Sequence, residues 1–172
     1  YSALAEQPRR LDAAGVPWDV VPGVPAYAAA AAELGVELTV PEVVQSVVLT
    51  RTQARSTAMP STEALENFAA TGATLVLHLA ITRIRELAER LVPTHGADCP
   101  AAVVAHASRP HRVELRGTLA DIADAVEAAG LRQAAVILVG RALIRPGEAE
   151  SWLYASSPER EAKRRGWTDR TR

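Results

Sequence analysis

Two junctions between a predicted strand and a predicted helix offer the best positions for binding a ligand. At the first, a strand pattern ending at Val21 meets an alanine-rich helix through Pro22–Gly23. A tight glycine turn leaves the first N–H groups of the helix free to meet a ligand at the carboxyl edge of a sheet. The second junction is similar, because His78 ends an apolar run and Thr82 can begin a helix. Spacing alone leaves an ordinary connecting turn as the alternative at both.

The motifs of common catalytic machineries are absent. The sequence has no phosphate-cradling glycine loop, no GxGxxG, no HExxH and no GxSxG. No two of its 4 histidines stand four residues apart, so we expect no metal site. The single cysteine, Cys99, is interpreted as a small buried side chain rather than a nucleophile. One cysteine excludes an internal disulfide and is consistent with a reducing, cytoplasmic setting.

The elements that would position these junctions alternate between strand and helix from residue 46 to residue 140. Apolar runs predict strands at 46–50, 74–79, 101–105, 112–115 and 134–139. Helices are predicted at 61–70, from Thr82 until Pro93 ends it, and from Thr118 to Gly130. Because only a short turn separates the third and fourth strands, they must form a hairpin, and the sheet is predicted to be mixed.

The first 38 residues look like the last part of a preceding α/β domain. A helix over 1–14 ends at Gly15, a short strand follows at 18–21, and a second helix runs over 26–34 until Gly35. A globular domain seldom begins inside such a helix, so we expect a longer protein. The predicted boundaries are a first-domain remainder at 1–38, a linker at 39–45, a second domain at 46–145 and a tail at 146–172.

Composition narrows the function classes. The 172 residues are 48% hydrophobic and 23% charged, which indicates a folded globular chain rather than a disordered one. A net charge of -1, from 19 basic and 20 acidic residues, excludes a uniformly basic nucleic-acid-binding protein. No apolar run approaches the ~20 residues of a membrane-spanning helix. We therefore expect neither a nucleic-acid nor a membrane partner.

The order of several short motifs resembles the tetrapyrrole (corrin and sirohaem) methyltransferases. The segment 18–26, with the alanine-rich helix and Leu38–Thr39 after it, resembles their second shared motif. The runs 74–80 and 100–119 resemble the third and fourth motifs, and 135–140 the closing strand. The likeness covers residues 1 to about 155. It implies a two-domain α/β fold with a deep cleft, a first domain that is incomplete here, S-adenosylmethionine as cofactor, and a homodimer.

Further details resemble the branch of that family that methylates precorrin-4 at C-11 to give precorrin-5 in cobalamin biosynthesis. They lie in the segments 39–51, 68–79, 94–100 and 151–154. After Tyr154 the sequence departs from the usual ending of the branch and continues with Ala155–Pro158 and a basic run. Methyl transfer from a sulfonium requires orientation more than a strong base. The absence of catalytic motifs is therefore expected, and no catalytic residue is assigned.

Site residues follow from the motif positions of the resemblance. The implied cofactor-binding residues are Pro25, Ala26, Leu79, Ala107 and Ala135. Small residues would let the backbone approach the adenine and ribose. Basic residues near strand ends would position the many carboxylates of the substrate. They are Arg51, Arg55 and Arg109, with Arg83 and Arg112 as further candidates. For any one of them, a solvated surface arginine is the alternative.

Other functions remain open at this stage. One is a methyltransferase for another position, such as C-17 or C-2/C-7 of the ring, acting on another precorrin or on uroporphyrinogen III. Another is an inactive C-terminal fragment that keeps the fold and the dimer surface. The weakest is methylation of RNA or protein, and the net charge of -1 gives RNA no support.

Overall fold

The central feature of the computed structural model, which describes residues 4–52 and 59–144, is a five-stranded mixed sheet. The strands are β1 (Val47–Arg51), β2 (Thr74–His78), β3 (Pro100–Ala105), β4 (Val113–Thr118) and β5 (Ala135–Val139). Their order across the sheet is β1-β2-β5-β3-β4, with β1 and β2 parallel and the other neighbouring pairs antiparallel. The predicted mixed α/β fold and the hairpin of the third and fourth strands are confirmed.

Helices cover both faces of this sheet. The helices of the described residues are α1 (Glu6–Ala13), α2 (Ala26–Leu34), α3 (Leu65–Ala69), α4 (Ile84–His95) and α5 (Ile122–Ala128), of which α1 buries no residue. Leu75 and Leu77 of β2 pack with residues of α3, α4 and α5 on one face. Val76, between them, packs on the opposite face with α2. This alternation follows from the two-residue period of a strand, and both faces are apolar because both are covered.

The ends of α2 form as predicted, whereas the helix predicted from Thr118 begins at Ile122 as α5. Leu119, Ile122 and Val126 are buried against the sheet. Gly35 ends α2 with a φ of 61°, the left-handed conformation that glycine adopts without cost. Thr118 does not cap α5. Instead its N–H donates to the Asp121 carboxylate at 2.6 Å, and the helix begins one residue after Asp121.

Three local predictions were wrong. Residues 18–21 form no strand, because no described strand pairs with them, and their side chains are exposed. Pro93 does not end α4, which continues to His95. A proline in the last turn removes one hydrogen bond, but its fixed φ is helical. The helix predicted at 61–70 is interrupted at Ala64, where the Asn67 amide bonds the carbonyls of the preceding turn at 3.1 and 3.3 Å.

The connection between α2 and β1 is tied to the sheet. The Thr74 hydroxyl, at the fully buried start of β2, donates to the Leu38 carbonyl at 2.7 Å. Val40 and Val44 bury their side chains together with Ala142. The predicted domain boundary at 39–45 stays a prediction. Among the described residues, no helix has both the length and the apolar character needed to cross a bilayer.

Candidate functional site

The strand registers bring three of the predicted cofactor residues to one edge of the sheet. His78 pairs with Val136, and Ala105 pairs with Ala135. The end of β2, the end of β3 and the start of β5 therefore lie side by side, which places Leu79, Ala107 and Ala135 along the same edge. Arg51, the last residue of β1, pairs with His78 and joins this group from the other side.

The backbone at this edge is held in an uncommon conformation. Five non-glycine residues in the described ranges have positive φ, and four of them lie here. They are Leu79 at 55°, His106 at 54°, Ser108 at 63° and Ala134 at 53°. Left-handed backbone costs a non-glycine residue roughly 1–2 kcal/mol. Such residues persist only where surrounding contacts hold the backbone in this conformation, and they cluster at ligand sites.

The surface at this edge combines one exposed large side chain with small neighbours. Leu79 is 87% exposed, although Leu75, Val76 and Leu77 of β2 are fully buried. Ala105, Ala107 and Ala135 leave the adjoining strand ends without bulk. A flat ligand could therefore contact the backbone of β3 and β5 with an apolar side chain beside it.

A groove of about 810 Å³ opens next to Leu79. Arginines from β1 and the start of α4 line it, together with hydroxyl groups. Its lining includes Arg51, Arg83 and Arg90 together with Ser61 and Thr82. Glu66 pairs with Arg90 at 2.7 Å, and Glu86 accepts from Arg83 at 2.8 Å. Arg51 has no ion pair with any described residue, so its charge is available to an anion.

A second cavity, of about 480 Å³, lies between α4 and α5 and shares Thr82 and Arg83 with this groove. Its central charge, Arg85, is engaged by Glu127 at 2.7 Å and by Asp124 at 2.5 Å. These pairs tie the two helices together. The cavity therefore has a structural explanation, whereas the groove beside Leu79 does not.

The remaining predicted residues fall in different places. Arg109 is exposed in the loop 106–112, at the same edge, and Arg112 ends that loop. Pro25 is half-buried and Ala26 exposed at the start of α2. The contact between α2 and the edge comes from the other end of the helix, where Glu33 accepts from the Ser108 N–H. Arg55 lies outside the described residues.

His78 is a site feature that sequence reasoning did not assign. Its Nε2 atom is buried without a hydrogen-bond partner among the described residues. Burial lowers the pKa of His78, because desolvation disfavours the charged ring. Sequence analysis also missed His106, Ser108 and Ala134. The turn-rich segment 106–111 was a signal, because histidine adopts positive φ more readily than most residues. In the described part of the chain, no three His, Cys, Asp or Glu side chains group as metal ligands.

Comparison with known proteins identifies relatives of this chain. A family model described as tetrapyrrole (corrin/porphyrin) methylases matches residues 1–123. The chain is 58% identical over 160 residues to a precorrin-4 C(11)-methyltransferase of Rhodococcus erythropolis, covering 93% of this chain and 64% of the relative. It is 47% identical over 166 residues to the protein of that name from a Sinorhizobium species. This match covers 96% of this chain and 66% of the relative. The chain thus spans slightly less than two thirds of these relatives.

Solved structures agree on the fold. A cobalt precorrin-4 methyltransferase, described as a cobalamin biosynthetic enzyme, superposes with a TM-score of 0.78 at 36% identity. The match covers 84% of this chain and 61% of that one. A uroporphyrin-III C-methyltransferase from Thermus thermophilus, complexed with S-adenosyl homocysteine, has a TM-score of 0.63 at 23% identity. That match covers 83% of this chain and 61% of the Thermus protein, and it shows that the two share a fold.

Proposed function

This chain belongs to the tetrapyrrole (corrin/porphyrin) methylase family, and on that premise we propose that its protein methylates precorrin-4 at C-11 to give precorrin-5 in cobalamin biosynthesis. The observation that carries this proposal is the 58% identity over 160 residues to a precorrin-4 C(11)-methyltransferase. A relative that acts on cobalt precorrin-4 is 36% identical and has the same fold. The name of the first relative supports C-11 as the methylated position, and the name of the second supports a precorrin-4 as the substrate.

The proposed methyl donor is S-adenosylmethionine, whose sulfonium supplies an activated methyl group. In this proposal the adenine and ribose lie against the strand edge, between Leu79 and the small residues Ala107 and Ala135. Pro25 and Ala26 complete the site from the start of α2. The support is chemical. Backbone N–H and C=O groups can recognise an adenine without polar side chains, provided that small residues let it approach.

The proposed precorrin site is the groove beside Leu79. A precorrin carries many carboxylates, and guanidinium groups bind carboxylates in a fixed, bidentate geometry. Arg51 is the candidate with an available charge in this groove, while Arg83 and Arg90 already serve carboxylates of the chain. Arg109 stands at the same edge as a second candidate. Arg55 remains a prediction from sequence.

The proposed contribution of the protein to rate is orientation. Transfer of a methyl group from sulfur to a ring carbon is an in-line displacement, and correct placement of the reacting atoms supplies most of the acceleration. In this proposal the edge holds the donor, Arg51 holds a substrate carboxylate, and Leu79 excludes water between them. No side chain is assigned as a general base.

We further propose a cytoplasmic homodimer. Val20, Val21 and Val24 expose 49%, 84% and 80% of their surface, and a second copy of the protein would cover such a cluster of apolar side chains. Light scattering of the complete protein at high concentration should give the dimer mass. A strictly monomeric mass would refute this part of the proposal.

The test of the proposed activity uses the complete protein that carries residues 1–172. Incubated with precorrin-4 and isotopically labelled S-adenosylmethionine, it should place one labelled methyl group at C-11, located by NMR. Arg51→Met should raise KM for precorrin-4 by about tenfold, the cost of one charge-assisted pair, with kcat little changed. Arg132→Met, at an exposed loop position, is the control. A label at another carbon, or no transfer, would contradict the proposal.

A further inference from the structure

One side chain of α2, that of Glu33, bonds the loop that carries Ala107 at two points. Glu33 lies in the last turn of α2, and its Oε1 accepts a hydrogen bond from the Ser108 N–H at 3.2 Å. Its other carboxylate oxygen pairs with Arg112 Nε at 2.7 Å. One carboxylate therefore holds both the middle and the end of the loop 106–112, across 75 positions of sequence.

This loop is a segment whose backbone needs outside support. His106 and Ser108 both have positive φ, and Ala107 lies between them. The strain persists only where contacts over-determine the conformation. The Ser108 N–H donates a charge-assisted hydrogen bond to the Glu33 carboxylate, which fixes the orientation of that peptide. The ion pair between Glu33 and Arg112 fixes the position at which the loop enters β4.

Opposite charges meet where the loop 106–112 and β4 contact the C-terminal end of α2. The C-terminus of a helix carries a partial negative charge, and two arginines of the loop and β4 meet it. Arg112 pairs with Glu33, and the Arg116 guanidinium donates to the Leu34 carbonyl. The Glu33 side chain is only 21% exposed, so its bonds are partly shielded from water.

We propose that Glu33 is a positioning residue, which sets the conformation of the loop 106–112 and through it the affinity of the cofactor edge at Ala107. This inference rests on the proposed function, because it takes the ligand at Ala107 to be S-adenosylmethionine. It assigns α2 a second role. The start of the helix carries the proposed cofactor residues Pro25 and Ala26, and its last turn holds the loop that contains Ala107.

Three variants of the complete protein test the role. Glu33→Ala removes both contacts and should weaken S-adenosylhomocysteine binding by about tenfold, as expected for a lost bond to a charged group. Glu33→Gln keeps an acceptor for the Ser108 N–H and loses the ion pair, so it should restore most of the affinity. Glu37→Ala removes an exposed carboxylate four residues away, for which no described partner exists, and is the matched control.

Two readouts separate positioning from general stability. Calorimetry gives the affinity for S-adenosylhomocysteine, and hydrogen exchange gives the protection of the Ser108 amide. Glu33→Ala should lose the affinity and the Ser108 protection, while its β2 and β5 amides stay as protected as those of Glu37→Ala. Unchanged Ser108 exchange, or faster exchange with unchanged affinity, would overturn the positioning role. If the wild-type protein itself fails to bind S-adenosylhomocysteine, the proposed function fails and the role falls with it, whereas Ser108 exchange still shows whether Glu33 fixes the loop.

Discussion

The backbone amide of His106 donates a hydrogen bond to the Ala134 carbonyl at 2.8 Å, and both residues have positive φ. The bond continues the pairing of β3 with β5 one step beyond Ala105 and Ala135. Two left-handed residues on neighbouring strand ends thus fix each other. Each has a conformation that the isolated chain would rarely adopt, and the sheet imposes both at once.

Replacement of Ala134 by valine should lower the free energy of unfolding by about 1–2 kcal/mol, because a β-branched residue fits left-handed backbone poorly. The side chain of Ala134 is exposed, so added bulk meets no core atoms. Ala134→Gly should lose less, since glycine adopts positive φ freely. Urea unfolding of both variants measures the difference, and an equal loss would contradict the strain at this residue.

Ala107→Leu should weaken S-adenosylhomocysteine binding by roughly 1–3 kcal/mol, because a bulky side chain would fill the space that the proposed ligand needs. Calorimetry on the complete protein gives both affinities. Ala128→Leu adds the same bulk at an exposed position of α5 and should leave the affinity unchanged. Equal affinity of wild type and Ala107→Leu, with both folded, would place the cofactor elsewhere.

Gly140→Ala should destabilise the protein more than Gly130→Ala does. Gly140 has a φ of 146°, and a Cβ there would stand 3.2 Å from the Thr74 Cα, part of the buried backbone of β2. Gly130 also has positive φ, but a Cβ would meet nothing within 4 Å. We expect about 1–2 kcal/mol of backbone strain for Gly130→Ala, and a steric term in addition for Gly140→Ala. Thermal or urea unfolding compares the two, and equal losses would contradict the close approach.

The free energy of unfolding should fall as pH drops below about 6.5, the ordinary histidine pKa. Burial, and then the charge of Arg141, lower the pKa of His95, and both its ring nitrogens are buried without a hydrogen-bond partner among the described residues. The folded protein therefore resists a proton that the unfolded chain accepts, so stability is full above that pH and is lost as pH falls through the folded-state pKa.

His95→Leu should make the free energy of unfolding depend less on pH. Urea unfolding of the variant and the wild type between pH 5 and 7.5 measures this dependence. Burial also lowers the pKa of His78, so part of the slope should persist. Thr94→Leu changes an exposed neighbour that does not titrate and should keep the wild-type slope. A slope in His95→Leu as steep as in wild type would show that His95 is not its source.

Sequence determined the elements of this protein, because their causes are local. The apolar run at 74–79 has the length of a buried strand, and β2 occupies it to within one residue. The stripe from Leu119 to Val126 has the period of a helix, and both residues are buried. Gly35 ends α2 because the left-handed conformation suits glycine. The motifs that resemble a methylase family also lie in continuous segments, which is why Leu79, Ala107 and Ala135 were named before the sheet placed them side by side.

Only the tertiary structure decided how those segments meet. The last strand, β5, lies between β2 and β3, an order that no local pattern specifies. Positive φ at Ser108 and Ala134 arises from pairing and loop closure rather than from residue preference. The contact from Glu33 to Ser108 joins residues 75 positions apart. Conversely, the strand pattern at 18–21 formed no strand, because a strand exists only where another chain segment supplies its hydrogen bonds.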